Sequence, residues 1–216
     1  MTIIEMHNLC DLLIDKANAP WFNPGEKDKF INLAQIEFLD SSYRFFEYNE
    51  EIREKLLPLV KSNSYGAAAI SEIDLSALQA TAGFRYVLSL RGIYTNSCGG
   101  VTTRAIPPIQ LDDEVNNQLD PWNINDDRNP GYTQENNGTA NIIKIISTSN
   151  PTNVIIKFLK TPVDVLNDIV TPANNVNCEL SSSSHEEIVN IAVRKMLGNI
   201  QDQFGYQVQS QESKIQ

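Results

Sequence analysis

A chain of 216 residues with 41% hydrophobic residues has enough apolar side chains for a packed core, which excludes a largely disordered protein. Its net charge of −10 argues against a general nucleic-acid-binding surface, because binding to phosphates needs clustered Lys and Arg side chains. The three cysteines, Cys10, Cys98 and Cys178, show no CxxC spacing. We therefore expect neither a disulfide framework nor a zinc ribbon, but a reduced cytosolic environment. The sequence shows no signal-peptide pattern and no apolar stretch approaching the roughly 18 residues of a membrane span, so we expect no membrane contact.

The first 61 residues carry strong helix signals. Apolar residues at helical spacing predict a helix over residues 2–17. A second helix begins at Asn23, because an Asn cap, Pro24 at the first helical position and Glu26 three residues after the cap are typical of a helix start. We expect this helix to break near Asn49 and a further helix to end before Pro58. Apolar residues cover most of the circumference of the second helix, Phe45 among them, so we expect other segments to surround it.

The middle of the chain carries strand signals. Period-2 alternation predicts a strand over Phe84–Tyr94. The β-branched runs Ala140–Ile146 and Val154–Leu159 are interpreted as a hairpin with a longer loop. Between them and the first strand we expect a short helix near Leu111–Leu119 and a long polar loop, Asp120–Gly138, without regular structure. Residues 61–82 favour no single element.

The last strong element is a helix that begins at Ser184, which forms a capping-box pattern with Glu187. Helices at both ends and strands between them predict an α+β fold, in which a helical bundle from both chain termini carries a strand-rich middle insertion. The predicted boundaries are residues 1–61 for the first part of the bundle, 62–183 for the insertion, 184–203 for the closing helix and 204–216 for a polar tail that orders on a partner.

Few residues have the pattern of a chemical site. Asn125, Asp127 and Asn129 alternate as in a calcium loop, but Pro130 replaces the required Gly and Asn136 the required Glu, so a plain turn-rich loop is the better interpretation. No phosphate-binding Gly-rich motif occurs. We predict no catalytic residue, no cofactor and no metal. The one enzymatic alternative is a small intracellular hydrolase with Cys98 as nucleophile and His7 or His185 as base.

Aromatic residues in polar segments indicate contact with a partner. A large aromatic side chain on an extended loop often anchors a protein interface. For Trp122 the equally weighted alternative is a plug that fills a local core. The residues that we predict to form such an interface lie in the polar loop and in the tail: Trp122, Tyr132, Tyr206 and Val208.

Several segments resemble structural proteins of tailed bacteriophages. The segments that carry this resemblance are 15–17, 21–26 (Trp-Phe-Asn-Pro-Gly-Glu), 30–37, 43–47, 154–162 and 184–193. The chain is most similar to the head-to-tail connector (ring or adaptor) proteins of crAss-like, podovirus-type phages. The resemblance covers both ends and about half of the chain, and the loop from Asp112 to Gly138 and the Gln-rich tail match nothing in it.

The resemblance implies a structural protein of the virion that is assembled in the host cytoplasm. Such proteins form a homo-oligomeric ring, typically of twelve copies, that joins the portal to neighbouring connector or tail proteins and surrounds the DNA channel. DNA would pass through the lumen without specific binding, which suits an acidic chain. The alternative within the same virion is a tail-completion or tail-adaptor protein.

Overall fold

The structure is a computed structural model that describes residues 1–16, 22–66, 69–95, 99–110, 125–126, 128–136, 140–168 and 170–212; for residues 15–16 and 200–212 it describes the backbone alone. The chain divides into two compact units. We call residues 1–59 and 162–216 the helical unit and residues 60–161 the β unit. The α+β prediction is confirmed, with helices at both ends and a strand-rich middle.

The first part of the helical unit follows the local sequence signals. Helix α1 spans Ile3–Lys16, α2 spans Pro24–Tyr43 and α3 spans Glu50–Leu56, followed by a short 3-10 turn over Leu57–Leu59. At the start of α2, the Asn23 side chain accepts the Glu26 backbone N–H at 2.9 Å, and the Glu26 carboxylate accepts the Asn23 N–H at 2.9 Å. This reciprocal capping satisfies two backbone donors that have no partner within the helix. The Asn49 side chain caps α3 by accepting the backbone N–H groups of Glu51 and Ile52.

Helix α2 is not surrounded by protein, which corrects the expectation from its apolar circumference. Its buried residues form one stripe that includes Ile31, Ala34, Phe38 and Leu39. Leu33 lies on the opposite side and is 53% exposed. The helix ends at Tyr43, so Phe45 lies in the following turn and is 55% exposed instead of continuing the buried side.

The segment after residue 161 belongs to the helical unit, so the insertion ends at Thr161 and not at residue 183 as predicted. Asn32 on α2 explains this boundary. Its side-chain oxygen accepts the Val165 N–H at 2.7 Å and its side-chain nitrogen donates to the Val165 carbonyl at 3.2 Å. At the start of α1, the Ile3 N–H donates to the Asn177 side chain at 2.8 Å. We call residues 162–181 the return segment.

Helix α5 spans His185–Glu212 and continues past the predicted end at residue 203, so most of the predicted tail is helical. Its buried face includes Ile188, Ala192 and Met196 and packs against α1 and α2. The predicted capping box does not form. The Ser184 hydroxyl donates to the Ser181 carbonyl, and the Glu187 carboxylate instead accepts from Lys55.

The β unit contains two antiparallel sheets. Its strands are β1 (Val60–Gly66), β2 (Glu72–Asp74), β3 (Phe84–Thr95), β4 (Val101–Ile106), β5 (Gly131–Asn136), β6 (Asn141–Ile146) and β7 (Asn153–Lys160), with helix α4 (Ser76–Ala82) between β2 and β3. The first sheet has the order β1-β7-β3-β4 and the second has the order β2-β6-β5.

The predicted hairpin is wrong, although both of its strands exist. Strand β6 pairs with β2 and β5, whereas β7 lies in the other sheet between β1 and β3. The connection after Ile146 therefore carries the chain from one sheet to the other. Strand β5 also corrects the expectation that 120–138 lacks regular structure, while the predicted helix near Leu111–Leu119 lies outside the described residues.

One apolar core holds the β unit together. It contains residues of both sheets, such as Leu90, Phe158 and Ile143, together with Leu78 of α4. Phe158 is 1% exposed and Ile143 is fully buried. Both sheets bury one face in this core, and on the opposite face of the first sheet Arg91 and Lys157 are exposed to solvent.

Candidate partner-binding surface

The helical unit exposes large apolar side chains around the turn that joins α2 to α3. Phe45 is 55% exposed and Tyr48 is 87% exposed, and Leu33 on α2 is 53% exposed. We call Leu33, Ile36, Phe45, Ile52 and Ile191 the Phe45 surface. Clustered exposed apolar side chains of this kind are typical of protein interaction sites, whereas single ones are common on any surface.

Phe45 separates two open grooves on this surface. Leu33, Ile36 and Arg44 line the groove on one side. Phe38, Ile52 and Ile191 line the groove on the other side, between α2, α3 and α5. An aromatic side chain between two grooves offers a projecting group and pockets that a partner's side chains can fill. Aromatic anchors and the pockets that they fill are typical of interface hot spots.

Charged side chains border both grooves and fix the helices that form them. Lys55 on α3 contacts Glu51 at 2.9 Å and Glu187 of α5 at 3.1 Å. Hydrogen bonding to Glu51 raises the pKa of Lys55, so this ion pair persists across the neutral range. In the other groove, the Lys195 ammonium of α5 contacts the Glu37 carboxylate of α2. The position of Phe45 is therefore determined by helices that are held to one another.

Of the four residues that the sequence predicts for a partner interface, the structure describes the side chain of Tyr132. Trp122 lies outside the described residues. Tyr132 lies on β5 in the core of the β unit and is only 7% exposed, so its ring contributes to packing and offers little contact area. Tyr206 and Val208 lie on the last turns of α5, of which the backbone alone is described.

The sequence analysis assigned Phe45 to a buried position, so it missed the Phe45 surface. The signal that could have revealed it is the cap residue Asn49. A new helix that starts at Glu50 requires the preceding helix to end some residues earlier, which removes Phe45 from the buried stripe. The sequence 45–48, Phe-Phe-Glu-Tyr, is then an aromatic turn, and loops carry a disproportionate share of binding residues.

A second group of polar side chains is buried where α1, α2 and the return segment meet. His7 Nε2 lies 2.8 Å from Asp28 Oδ1, and His7 Nδ1 lies 3.0 Å from the Asn167 side-chain nitrogen. The Asn167 backbone N–H donates to Asp28 Oδ2 at 3.1 Å. These contacts assign the proton of the neutral imidazole to Nε2, because Nδ1 accepts from the Asn167 amide.

This buried group resembles the base and orienting carboxylate of a catalytic triad, but its geometry is that of a structural network. His7 is 4% exposed and Asp28 is 5% exposed. Both ring nitrogens already have a hydrogen-bond partner, so the ring would have to exchange one of them before it could accept a proton from a nucleophile. Burial lowers the pKa of His7, which favours the neutral form that the network requires.

The second candidate base, His185, and the two described cysteines are also buried. His185 is 4% exposed, its Nε2 lies 2.9 Å from the Leu180 carbonyl, and burial lowers its pKa. Burial raises the pKa of Cys10 to about 12 and that of Cys178 to about 11, so both are thiols at neutral pH. Cys98, the predicted alternative nucleophile, lies outside the described residues.

Comparison with known proteins adds no family to this description. The chain matches no protein-family model and no curated protein sequence. Within the described residues, no helix has the length and apolar character needed to cross a membrane.

Proposed function

We propose that this chain is a subunit of a head-to-tail connector ring of a tailed bacteriophage. In this proposal it joins the portal to the tail around the DNA channel and acts through protein–protein contacts without catalysis. The ring has about twelve copies, as the resemblance implies, and it assembles in the host cytoplasm before it becomes part of the virion. The Phe45 surface would equally serve the closely related role of a tail-completion or tail-adaptor protein.

The observation that carries the proposal is the Phe45 surface. A side chain such as Phe45, 55% exposed between two grooves, is poorly placed in a protein that functions as a free monomer. Covering it with a neighbouring subunit removes apolar area from water, which favours association. The overall charge supports the same role, because a net charge of −10 keeps DNA from adhering to the channel wall.

The experiment is to replace Phe45 and to measure assembly by sedimentation velocity over a concentration series. Phe45→Ser should lower the association constant at least tenfold, because in this proposal the Phe45 side chain anchors the contact between subunits. Val170→Ser is the matched control, since Val170 is 92% exposed and lies outside the Phe45 surface. Equal association of both variants and the wild type would contradict the proposal.

A further inference from the structure

Positive charge is concentrated on the first sheet of an otherwise acidic protein. The helical unit contains 18 Asp and Glu residues against 9 Lys and Arg residues, a net charge of −9, and the β unit contains 9 against 8, a net charge of −1. Together they give the −10 of the whole chain. The four strands of the first sheet contain no Asp or Glu, and their basic residues are Lys61, Arg85, Arg91, Arg104, Lys157 and Lys160.

Strand register places two of these basic residues on the solvent-facing side of the sheet. Lys157 on β7 lies between Ser62 of β1 and Ser89 of β3. One row further on, Arg91 of β3 lies opposite Ile155 of β7. Arg91 and Lys157 are therefore diagonal neighbours on one face, with Cβ atoms roughly 7–8 Å apart. We call this face, with Ser62, Ser64, Ser89, Arg91, Ile93, Thr103, Ile155 and Lys157, the basic face.

The basic face has the properties of a contact surface. Arg91 and Lys157 are exposed, and neither has a carboxylate partner within ion-pair distance in the described part of the chain. Short hydroxyl side chains and two half-buried isoleucines, Ile93 and Ile155, surround them. Two like charges on one sheet face repel each other, and an anionic partner would remove that repulsion.

An acidic surface with matching properties lies on the helical unit. Glu47, Glu50 and Glu54 are exposed at the turn before α3 and along that helix. None of the three carboxylates has an ion-pair partner among the described residues, whereas Glu51 beside them is held by Lys55. Phe45 and Tyr48 belong to the same turn region, so acidic and apolar groups occur together there. The basic face likewise combines basic groups with hydroxyl and apolar groups.

We propose that the basic face of one copy binds the acidic α3 surface of a second copy, with Arg91 and Lys157 meeting Glu47, Glu50 and Glu54. This inference rests on the proposed function, since it names the two surfaces through which neighbouring subunits of the ring meet. The contact is heterologous, because each copy uses one surface on one neighbour and the other surface on the next. Such contacts generate a ring when the rotation between neighbouring copies closes. Charge complementarity of this kind fixes register and accelerates encounter.

The test is a charge-reversal series measured by native mass spectrometry. Arg91→Glu with Lys157→Glu should lower the association constant at least tenfold, and Glu50→Lys with Glu54→Lys should do the same. All four substitutions in one chain should restore association to within about threefold of the wild type. Lys61→Glu is the matched control, because Lys61 is exposed on β1 but pairs with Phe158 and so lies on the opposite side of the sheet.

The outcomes separate this inference from the function on which it rests. Three results overturn the inference while the wild type still associates: unchanged association in every variant, equal weakening by Lys61→Glu, or no recovery in the fourfold variant. Each of them leaves the connector proposal standing. A wild type that never associates overturns both. Fluorescence anisotropy with a short DNA duplex gives the remaining result, since duplex binding that disappears with Arg91→Glu and Lys157→Glu would assign the basic face to DNA instead.

Discussion

His7 Nε2 lies 2.8 Å from Asp28 Oδ1, with both side chains buried, and this contact joins α1 to α2. Asn167 binds both partners of the contact, one with its side-chain amide and the other with its backbone N–H. Three segments that are distant in sequence are therefore held by one small network. Removing a single member would leave buried polar groups without partners, which costs about 1–3 kcal/mol per group.

The protonation of His7 gives the helical unit a defined dependence on pH. Burial holds the pKa of His7 below 6.5 in the folded chain, so the unfolded chain binds the proton more readily as the pH falls. The contribution of neutral His7 to the free energy of unfolding is fully present above pH 6.5. It decreases below pH 6.5, until the pH reaches the lowered pKa of the folded form. His185, whose pKa is also lowered by burial, adds a second contribution of the same sign.

We expect His7→Gln to reduce this pH dependence. The Gln amide can still donate to Asp28, but it does not titrate. The difference in the free energy of unfolding between variant and wild type should change by up to about 1.4 kcal/mol per pH unit below pH 6.5, because His7 binds one proton. Urea unfolding at pH 7.5 and pH 5.5 measures it. A wild type that is more stable at pH 5.5 than at 7.5, by an amount that His7→Gln abolishes, would contradict the assignment of a neutral His7.

The start of β5 should not tolerate a side chain at Gly131. A Cβ atom there would overlap the Ile109 side chain, so Gly131→Ala should destabilise the chain by about 1–3 kcal/mol. Gly66→Ala at the end of β1 is the control, because among the described residues no atom beyond its chain neighbours lies within 4 Å of a Cβ built there. Thermal unfolding followed by circular dichroism compares the two, and an equal loss in both variants would argue against close packing at Gly131.

Local signals predicted the helices of this chain better than its strand pairing. Asn23 and Asn49 cap α2 and α3 because a cap needs only residues two or three positions away, which sequence displays directly. The partners of β6 and β7 are set by the core that Ile143 and Phe158 share with distant strands. Two β-branched runs with a loop between them are equally compatible with a hairpin, so their separate sheets could not be predicted.

The candidate surface was hidden for a related reason. Apolar residues over most of the circumference of α2 predict that protein surrounds it, whereas the packing of other segments, α5 and α1 among them, determines which of these residues are covered. Leu33 and Ile31 have the same chemical character, yet Leu33 is 53% exposed and Ile31 is fully buried. The basic face was equally hidden, since Arg91 and Lys157 become neighbours only when β3 pairs with β7.

Cys10 and Cys178 should resist thiol reagents in the folded chain. Cys10 is fully buried and Cys178 is 8% exposed, and their pKa values are raised to about 12 and about 11. Reaction with iodoacetamide at pH 8 should therefore be at least a hundredfold slower than in urea, because both access and thiolate are lost. Peptide mapping by mass spectrometry measures each cysteine separately. Rapid labelling of either cysteine in the native chain would contradict its assignment to a buried position.

The Cys98 hydrolase hypothesis is testable by the same chemistry. Cys98→Ala should leave assembly unchanged, because the proposed function requires no nucleophile. Hydrolysis of generic ester or peptide substrates should be absent in both the wild type and the variant. Activity that is present in the wild type and lost in Cys98→Ala would instead revive the enzymatic alternative.

The end of α5 should contribute to contacts with a neighbouring ring and not to folding. The described buried residues of α5 run from His185 to Met196. Deleting residues 205–216 should therefore leave the unfolding temperature within about 2 °C of the wild-type value, while binding to the next ring weakens. Co-sedimentation with portal protein tests this expectation. Unchanged co-assembly of the truncated chain would count against a role for this segment.

The central claim, that the chain is a ring-forming connector subunit, is tested most directly by native mass spectrometry of the purified wild-type chain. A concentration series, with and without candidate portal protein, distinguishes a monomer from a closed assembly. The proposal predicts a discrete ring of about twelve copies, or a complex that forms only with portal. A strict monomer that binds no virion protein at any concentration would contradict it.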